Sequence, residues 1–195
     1  MSKTIYLFRH SKPFRPCALQ TEQIPLSPEG KQLIKKFLSD GFDGVKAVYS
    51  SSYLRAKETA AFFNKPVTED SRLIERRIGD PEGFTKEIWV GQYTDFDLKN
   101  SGGESFSEVN RRMTEAVNDI LNKTKDGEEA AVVFHAAAIC AYLMNYCEIK
   151  VIEAESKSRE ISFNGKAVLS GSIACPSCFK LMFEEKLADV SYLCL

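Results

Sequence analysis

Two short stretches of the chain are apolar at every position, Ile5-Tyr6-Leu7-Phe8 and Ala131-Val132-Val133-Phe134. Runs of this length and character predict strands buried on both faces of a sheet. Between and after them the apolar spacing changes to that of amphipathic helices. Leu33, Ile34, Phe37 and Leu38 share one helical face, and Ser27-Pro28-Glu29-Gly30 opens that helix. Ser27 can cap it, Pro28 suits its first turn, Gly30 is tolerated, and Gly41 ends it. Phe106, Val109, Met113, Val117, Ile120 and Leu121 mark a second helix over residues 105–121. Residues 45–49 predict a strand, 50–52 the turn and cap before a helix over 53–63, and 67–68 a short third strand. A further helix is expected over 138–146, and later strands over 149–152, 167–169, 179–183 and 188–193.

The pattern is interrupted twice. Residues 11–24 read as a polar, Pro-rich loop stiffened by Pro13 and Pro16. Residues 70–100 are charged, aromatic and irregular, with one helix at 86–93, and read as an insertion over one end of the sheet. Strands alternating with helices predict an α/β, three-layer sandwich around a mostly parallel sheet with helices on both faces, in one domain. The longest apolar stretch, 130–144, is broken by His135 and falls short of the ~20 residues of a membrane helix. It reads as a buried strand running into a helix.

Composition narrows the class. The chain has 195 residues, 44% hydrophobic and 27% charged, with a formal charge of -1. That balance fits a folded globular protein with one main core and gives no overall attraction for nucleic acid. With no export signal in view, a cytoplasmic setting is expected. The six cysteines, at 17, 140, 147, 175, 178 and 194, then read as reduced thiols, several of them small core residues. Cys175-Pro176-Ser177-Cys178 is a single CxxC without a second pair, and reads as a turn between extended segments rather than a zinc or redox site.

The chain holds only two histidines, His10 and His135, and each follows one of the buried strands. Side chains just past the carboxyl ends of parallel strands line the binding crevice of an open α/β sheet. If the two strands run parallel, both histidines face the same edge, although either alone also suits a core or cap position. Arg9 precedes His10, and Arg55 starts the helix after strand 45–49; on its own Arg55 reads first as a surface residue of that helix. Two guanidinium forks converging on two imidazoles would make a site for a phosphate dianion, with nearby helix N-termini adding N–H donors.

These segments, taken in order, resemble the signature of the histidine phosphatase superfamily, founded on the cofactor-dependent phosphoglycerate mutases. Leu7-Phe8-Arg9-His10 is similar to its opening motif, Leu26-Ser27-Pro28-Glu29-Gly30 to its first helix start, and the run from Tyr49 through Arg55 to Ala60 to its second arginine motif. Leu73-Ile74-Glu75-Arg76-Arg77-Ile78-Gly79 with Glu82-Gly83 resembles its acidic loop. Gly102-Gly103-Glu104-Ser105-Phe106 with Arg111 resembles the start of a later helix, and Val132-Val133-Phe134-His135 its second histidine motif.

The resemblance implies that His10 carries the phosphoryl group as a covalent intermediate. It implies that Arg9, Arg55 and His135 hold the phosphoryl oxygens, and that Glu75 protonates the leaving alcohol and then deprotonates water. The chemistry is coherent: a nucleophilic imidazole must be neutral with its other nitrogen held by an acceptor, and fixed cations stabilise the transition-state charge. Glu75 also reads as a loop glutamate paired with Arg76 or Arg77.

The sequence departs from the family at Ser11 and Ala136, each in place of a frequent glycine, so each adds a Cβ beside the phosphate. Both, with Arg111, are candidate substrate contacts; Arg112 reads at least as well as a surface partner of Glu104, Glu108 or Glu115. No segment demands a cofactor, and with no acidic cluster or second histidine near either motif a catalytic metal is not expected. The expected activity is hydrolysis of a small phosphorylated metabolite, without nucleic acid or membrane. A phosphoglycerate mutase and a non-catalytic phosphate-binding module are the alternatives. Specificity is expected in residues 12–23, 84–100 and 154–175.

Overall fold

Successive side chains of a buried strand must find apolar partners on opposite sides, and the first strand, β1 (Lys3–Arg9), does so. Ile5 and Leu7 enter one core, Tyr6 and Phe8 the other. The computed structural model describes residues 2–14, 19–39 and 41–195; Pro16 and Cys17 lie outside them. After β1 come α1 (Pro28–Leu38), β2 (Val45–Ser50), α2 (Leu54–Ala61), β3 (Val67–Glu69), α3 (Lys86–Gly91), α4 (Phe106–Lys123), β4 (Glu129–Phe134) and α5 (Ala136–Leu143). Five further strands complete the described chain: β5 (Glu148–Glu153), β6 (Ser158–Phe163), β7 (Lys166–Gly171), β8 (Ser177–Phe183) and β9 (Leu187–Cys194).

The main sheet has the order β3-β2-β4-β1-β8-β9. Strands β1 to β4 pair in parallel, and β8 and β9 add an antiparallel hairpin at the β1 side. Helices α1 and α2 cover one face through Ile34, Phe37, Ala56 and Ala60. Helices α4 and α5 cover the other through Val109, Met113, Ile120 and Ile139. The architecture is the α/β sandwich with a mostly parallel sheet. Phe8 shows how tightly the first face packs: its ring meets Phe42 at 5.1 Å and Phe63 at 5.2 Å, both edge-on. Truncating such a side chain costs about 3–5 kcal/mol.

Local signals at the helix starts act as the sequence suggests. Ser27 accepts the Gly30 N–H at 2.9 Å with Pro28 behind it, and Ser105 with Glu108 closes a capping box on α4. Two details differ. The cap of α2 is Tyr53 rather than one of the serines, and Ser51 accepts its N–H. Gly30 is required, not tolerated, since a Cβ there would lie 2.1 Å from the Lys12 carbonyl oxygen.

The carboxyl-terminal third differs more. The expected strands at 149–152 and 167–169 belong not to the main sheet but to a separate antiparallel one, β5-β6-β7. Its middle strand β6 has no counterpart in the hydrophobic pattern because Arg159 takes one of its buried positions. The Asn164-Gly165 turn joining β6 to β7, with both residues at positive φ, is the hairpin signal that marks it.

Candidate active site

Strand order creates the site. β1 and β4 are neighbours, yet the helices that follow them, α1 and α5, pack on opposite faces. The chain therefore leaves a crevice between the two carboxyl ends, the switch point where α/β sheets bind ligands. The register pairs Arg9 with Phe134, and the His10 N–H donates to the Phe134 carbonyl at 3.0 Å. The residues one step further, His10 and His135, thus stand side by side with ring centroids 5.1 Å apart.

His10 is buried, and its Nδ1 lies 2.7 Å from the Ser11 carbonyl oxygen. A carbonyl only accepts, so Nδ1 carries the proton and Nε2 keeps its lone pair. Arg55 donates Nε–H to that Nε2 at 3.1 Å and reaches His135 Nδ1 with Nη2 at 3.3 Å. The second contact makes His135 Nδ1 an acceptor, so His135 Nε2 donates to Ser51 Oγ at 2.9 Å. Complete burial, then the electrostatic influence of the neighbouring His10 ring and the positive charges of Arg55, Arg112 and Arg9, hold His135 well below the usual imidazole range, and it is neutral at pH 7.

Arg55 is itself buried. Its Nη1 donates to the Thr21 carbonyl at 2.6 Å, which fixes the fork between the two rings. Arg9 bonds the Ile173 carbonyl through Nη1.

Glu75 approaches from the irregular segment. Its carboxylate accepts the Ala138 N–H at 3.0 Å, the Ala137 N–H at 3.4 Å and the Arg76 N–H at 2.9 Å. It thereby caps α5, whose own N-cap His135 gives no side-chain cap. The alternative pairing with the Arg76 or Arg77 side chain is not among the ion pairs of the described residues. Arg76 instead packs between Phe84 and Phe106 and donates to the Glu104 carbonyl at 2.7 Å.

Arg112 is not a simple surface partner. It forks onto the buried Glu104 with two contacts of 3.0 Å and donates to the carbonyls of Arg72, Ile74 and Glu75. Burial works against the Glu104 charge, but the Arg112 bonds, the Arg77 N–H and both cations outweigh it and hold its carboxyl below the usual range.

A cavity of about 740 Å³ opens over these groups and is lined by Arg9, His10, Arg55, Glu75 and Ala136. Each of the three expected specificity segments contributes to it: Thr21 and Glu22, Trp89 and Tyr93, and Ser156, Lys157, Arg159, Ser172 and Ile173. Six cationic side chains (Arg9, Arg55, Arg76, Arg77, Lys157, Arg159) face it against two carboxylates, Glu22 and Glu75, so the cavity selects anions. A smaller concavity of about 210 Å³ beside Phe96 and Asn110 has no titratable lining.

Two candidate contacts lie elsewhere. Arg111 is on the exposed side of α4, away from the cavity lining. Ser11 is fully buried, with its hydroxyl given to the Gly30 carbonyl at 2.7 Å and its N–H to Thr59 Oγ1. It is absent from the cavity lining. Ala136 does face the cavity. Ser51 and Arg159 were not singled out by sequence. Ser51 follows the carboxyl end of β2, and its N–H bonds Val133 next door, so the rule that picks the histidines also reaches it.

Of the CxxC cysteines, Cys178 is a buried free thiol. Cys178 lies in β8, and Cys175 donates its thiol to the His10 carbonyl at 2.9 Å. Among the described residues no cluster of ligands could hold a metal ion, and no helix is long and apolar enough to cross a membrane.

An α/β sheet whose switch point gathers two imidazoles and buried arginines defines a phosphate-directed protein. The chain belongs to the histidine phosphatase superfamily (branch 1), whose model matches residues 5–159. Among solved structures it resembles mycobacterial glucosyl-3-phosphoglycerate phosphatase, with TM-score 0.70, 17% identity, and 98% and 96% of the two chains covered. Phosphoserine phosphatase of Entamoeba histolytica, solved with 3-phosphoglyceric acid, gives TM-score 0.69, 17% identity, and 99% and 98% coverage. A Bacillus stearothermophilus protein, YhfR, gives TM-score 0.60 at 22% identity, covering 86% and 95%. No curated protein matches the chain significantly in sequence.

Proposed function

We propose that the protein is a metal-independent phosphomonoester hydrolase that works through a phosphohistidine on His10. The observation carrying this reading is the tautomer of His10: Nδ1–H is held by the Ser11 carbonyl, so Nε2 keeps its lone pair, which accepts from Arg55 until a phosphoryl group takes the place of that contact. A binding module has no use for an imidazole poised in this way. The names of similar proteins, phosphatases of glucosyl-3-phosphoglycerate and of phosphoserine, agree with small phosphorylated metabolites as the substrate class.

In the first step His10 Nε2 attacks phosphorus and the bond from phosphorus to the alcohol oxygen breaks. Arg9 and Arg55 donate to the oxygens on which charge is spread, and His135, whose Nδ1 accepts from Arg55, holds that fork in place. Glu75, which takes up a proton from solvent before the step, gives it to the departing alkoxide. In the second step water attacks the phosphohistidine, Glu75 takes the water proton, and inorganic phosphate leaves with His10 restored. Arg55 lies between both imidazoles and so serves both steps.

The test is phosphate release from a panel of phosphorylated metabolites by wild type and His10→Ala, together with trapping of the labelled enzyme under alkaline quench. Wild type should hydrolyse some members and retain acid-labile label; His10→Ala should do neither. Hydrolysis that survives in His10→Ala would reject the mechanism.

A further inference from the structure

Three arginines that line the cavity each bury a guanidinium nitrogen with no partner among the described residues: Arg9 Nε, Arg76 Nη2 and Arg159 Nε. Arg9 stands beside the phosphoryl position, and Arg76 is held in the acidic loop. Arg159 belongs to neither group. It comes from β6 in the separate sheet and is 4% exposed, yet it lines the same cavity as His10.

No carboxylate pairs with it among the ion pairs of the described residues. Its Nη1 donates to the Cys140 sulfur at 2.8 Å and its Nη2 to the Lys157 carbonyl at 2.9 Å. Its guanidinium lies 5.6 Å from the ring centres of both Trp89 and Tyr93. Burying a cation on neutral partners alone is unfavourable unless something anionic completes it. The rings hold the fork flat and dry, which strengthens any charge-assisted bond it then makes.

We propose that Arg159, assisted by Lys157, binds a second anionic group, carboxylate or phosphate, carried by the alcohol half of the substrate, and so determines specificity. The inference rests on the phosphatase reading, in which Glu75 marks the leaving-group side. Arg159, Lys157, Trp89 and Tyr93 line the same cavity as Glu75, which puts this second cationic centre within the space open to the leaving group. The residue pair is presented by the tight β5–β6 turn, where Lys157 takes a left-handed backbone with φ 54°. An ion pair from Glu155 to Lys86 ties that turn to α3, the helix carrying Trp89. The cavity volume, about 740 Å³, falls in the range of roughly 300–1,000 Å³ that takes drug-sized ligands and has room well beyond one phosphoryl group.

The probes are phosphomonoesters of ω-hydroxy carboxylic acids of increasing chain length, the matching neutral amides, and the matching α,ω-bisphosphates. For wild type, kcat/KM should favour one charged series over the amides. In Arg159→Met that preference should fall by about tenfold or more, the loss of one charge-assisted contact, and the change should appear mainly in KM. Lys157→Ala, at an exposed position, should lower the same preference by a smaller factor, which covers the case of Arg159→Met failing to fold. The series that wins identifies the group as carboxylate or phosphate.

Calorimetric binding of the probes to His10→Ala reads the same preference without turnover. If wild type shows no hydrolysis but charged probes bind His10→Ala more tightly than amides, the phosphatase reading fails and the second anion site stands. Equal affinities for charged and neutral probes, or a preference unchanged in both Arg159→Met and Lys157→Ala, overturn the inference.

Discussion

Replacing Arg112 by methionine keeps the length of the side chain and removes its fork, and the structure predicts the cost. The guanidinium supplies two contacts of 3.0 Å to Glu104 and donates to the carbonyls of Arg72 at 2.6 Å and Ile74 at 2.8 Å. Glu104 would keep only the Arg77 N–H at 3.0 Å and the exposed Arg77 side chain at 3.6 Å. Removing one partner of a buried pair costs about 3–5 kcal/mol. The Arg112 side chain is 16% exposed and Arg77 remains, which reduces the expected loss to about 2–3 kcal/mol.

Stability is not the whole effect. Arg112 holds the backbone at Ile74 and Glu75, so its loss frees the loop that places the Glu75 carboxylate on α5. A misplacement of about 1 Å in a reacting group can cost about a hundredfold in rate, so kcat should fall by about ten- to a hundredfold with KM less affected. Urea denaturation and steady-state kinetics of Arg112→Met, Glu104→Gln and the double variant make the assay. The two single losses should be non-additive by about 1 kcal/mol or more, as expected for contacting residues. Destabilisation below about 1 kcal/mol, or full kcat in a folded Arg112→Met, would refute the reasoning.

Gly30→Ala should destabilise by about 1–3 kcal/mol, as overpacking does, because its Cβ meets a backbone oxygen at 2.1 Å; a wild-type urea midpoint would show that α1 can shift freely. His135 is neutral in the fold, with its pKa pushed well down by burial and neighbouring cations, whereas the unfolded imidazole takes a proton below about pH 6.5. Stability is therefore whole above that pH and declines as pH falls toward the folded value, by up to about 1.4 kcal/mol per unit. Denaturation midpoints measured from about pH 7 to about pH 5 should show a slope that is shallower in His135→Asn. An equal slope in both would assign the acid sensitivity to other groups.

The parts of the fold that announce themselves in sequence are those where one residue's environment is nearly uniform. β1 and β4 are buried on both faces, so every position must be apolar, and the run is visible without knowing its neighbours. Ser27-Pro28 and Ser105 with Glu108 are legible because capping is settled within one helical turn. Because these strands end so plainly, His10 and His135 are found by position alone, Arg9 and Arg55 join them by their places beside strand ends, and the family resemblance supplied Glu75.

Other features depend on partners distant along the chain. Nothing local says that β5, β6 and β7 leave the main sheet, since periodicity reports which side of a strand is buried and not against what. Arg159 looks like solvent-facing polarity, and only the fold shows it buried beside the rings of Trp89 and Tyr93. Arg112 looked like one of several helix-surface charges until the fold brought the 72–75 backbone against it. Ser11 and Arg111, plausible as contacts by position, are turned away by the Gly30 carbonyl and by the exposed side of α4. The sequence by itself determined which groups could handle phosphate, because chemistry belongs to residue type. The tertiary structure decided which of them meet, because strand order and register bring together side chains that lie far apart along the chain.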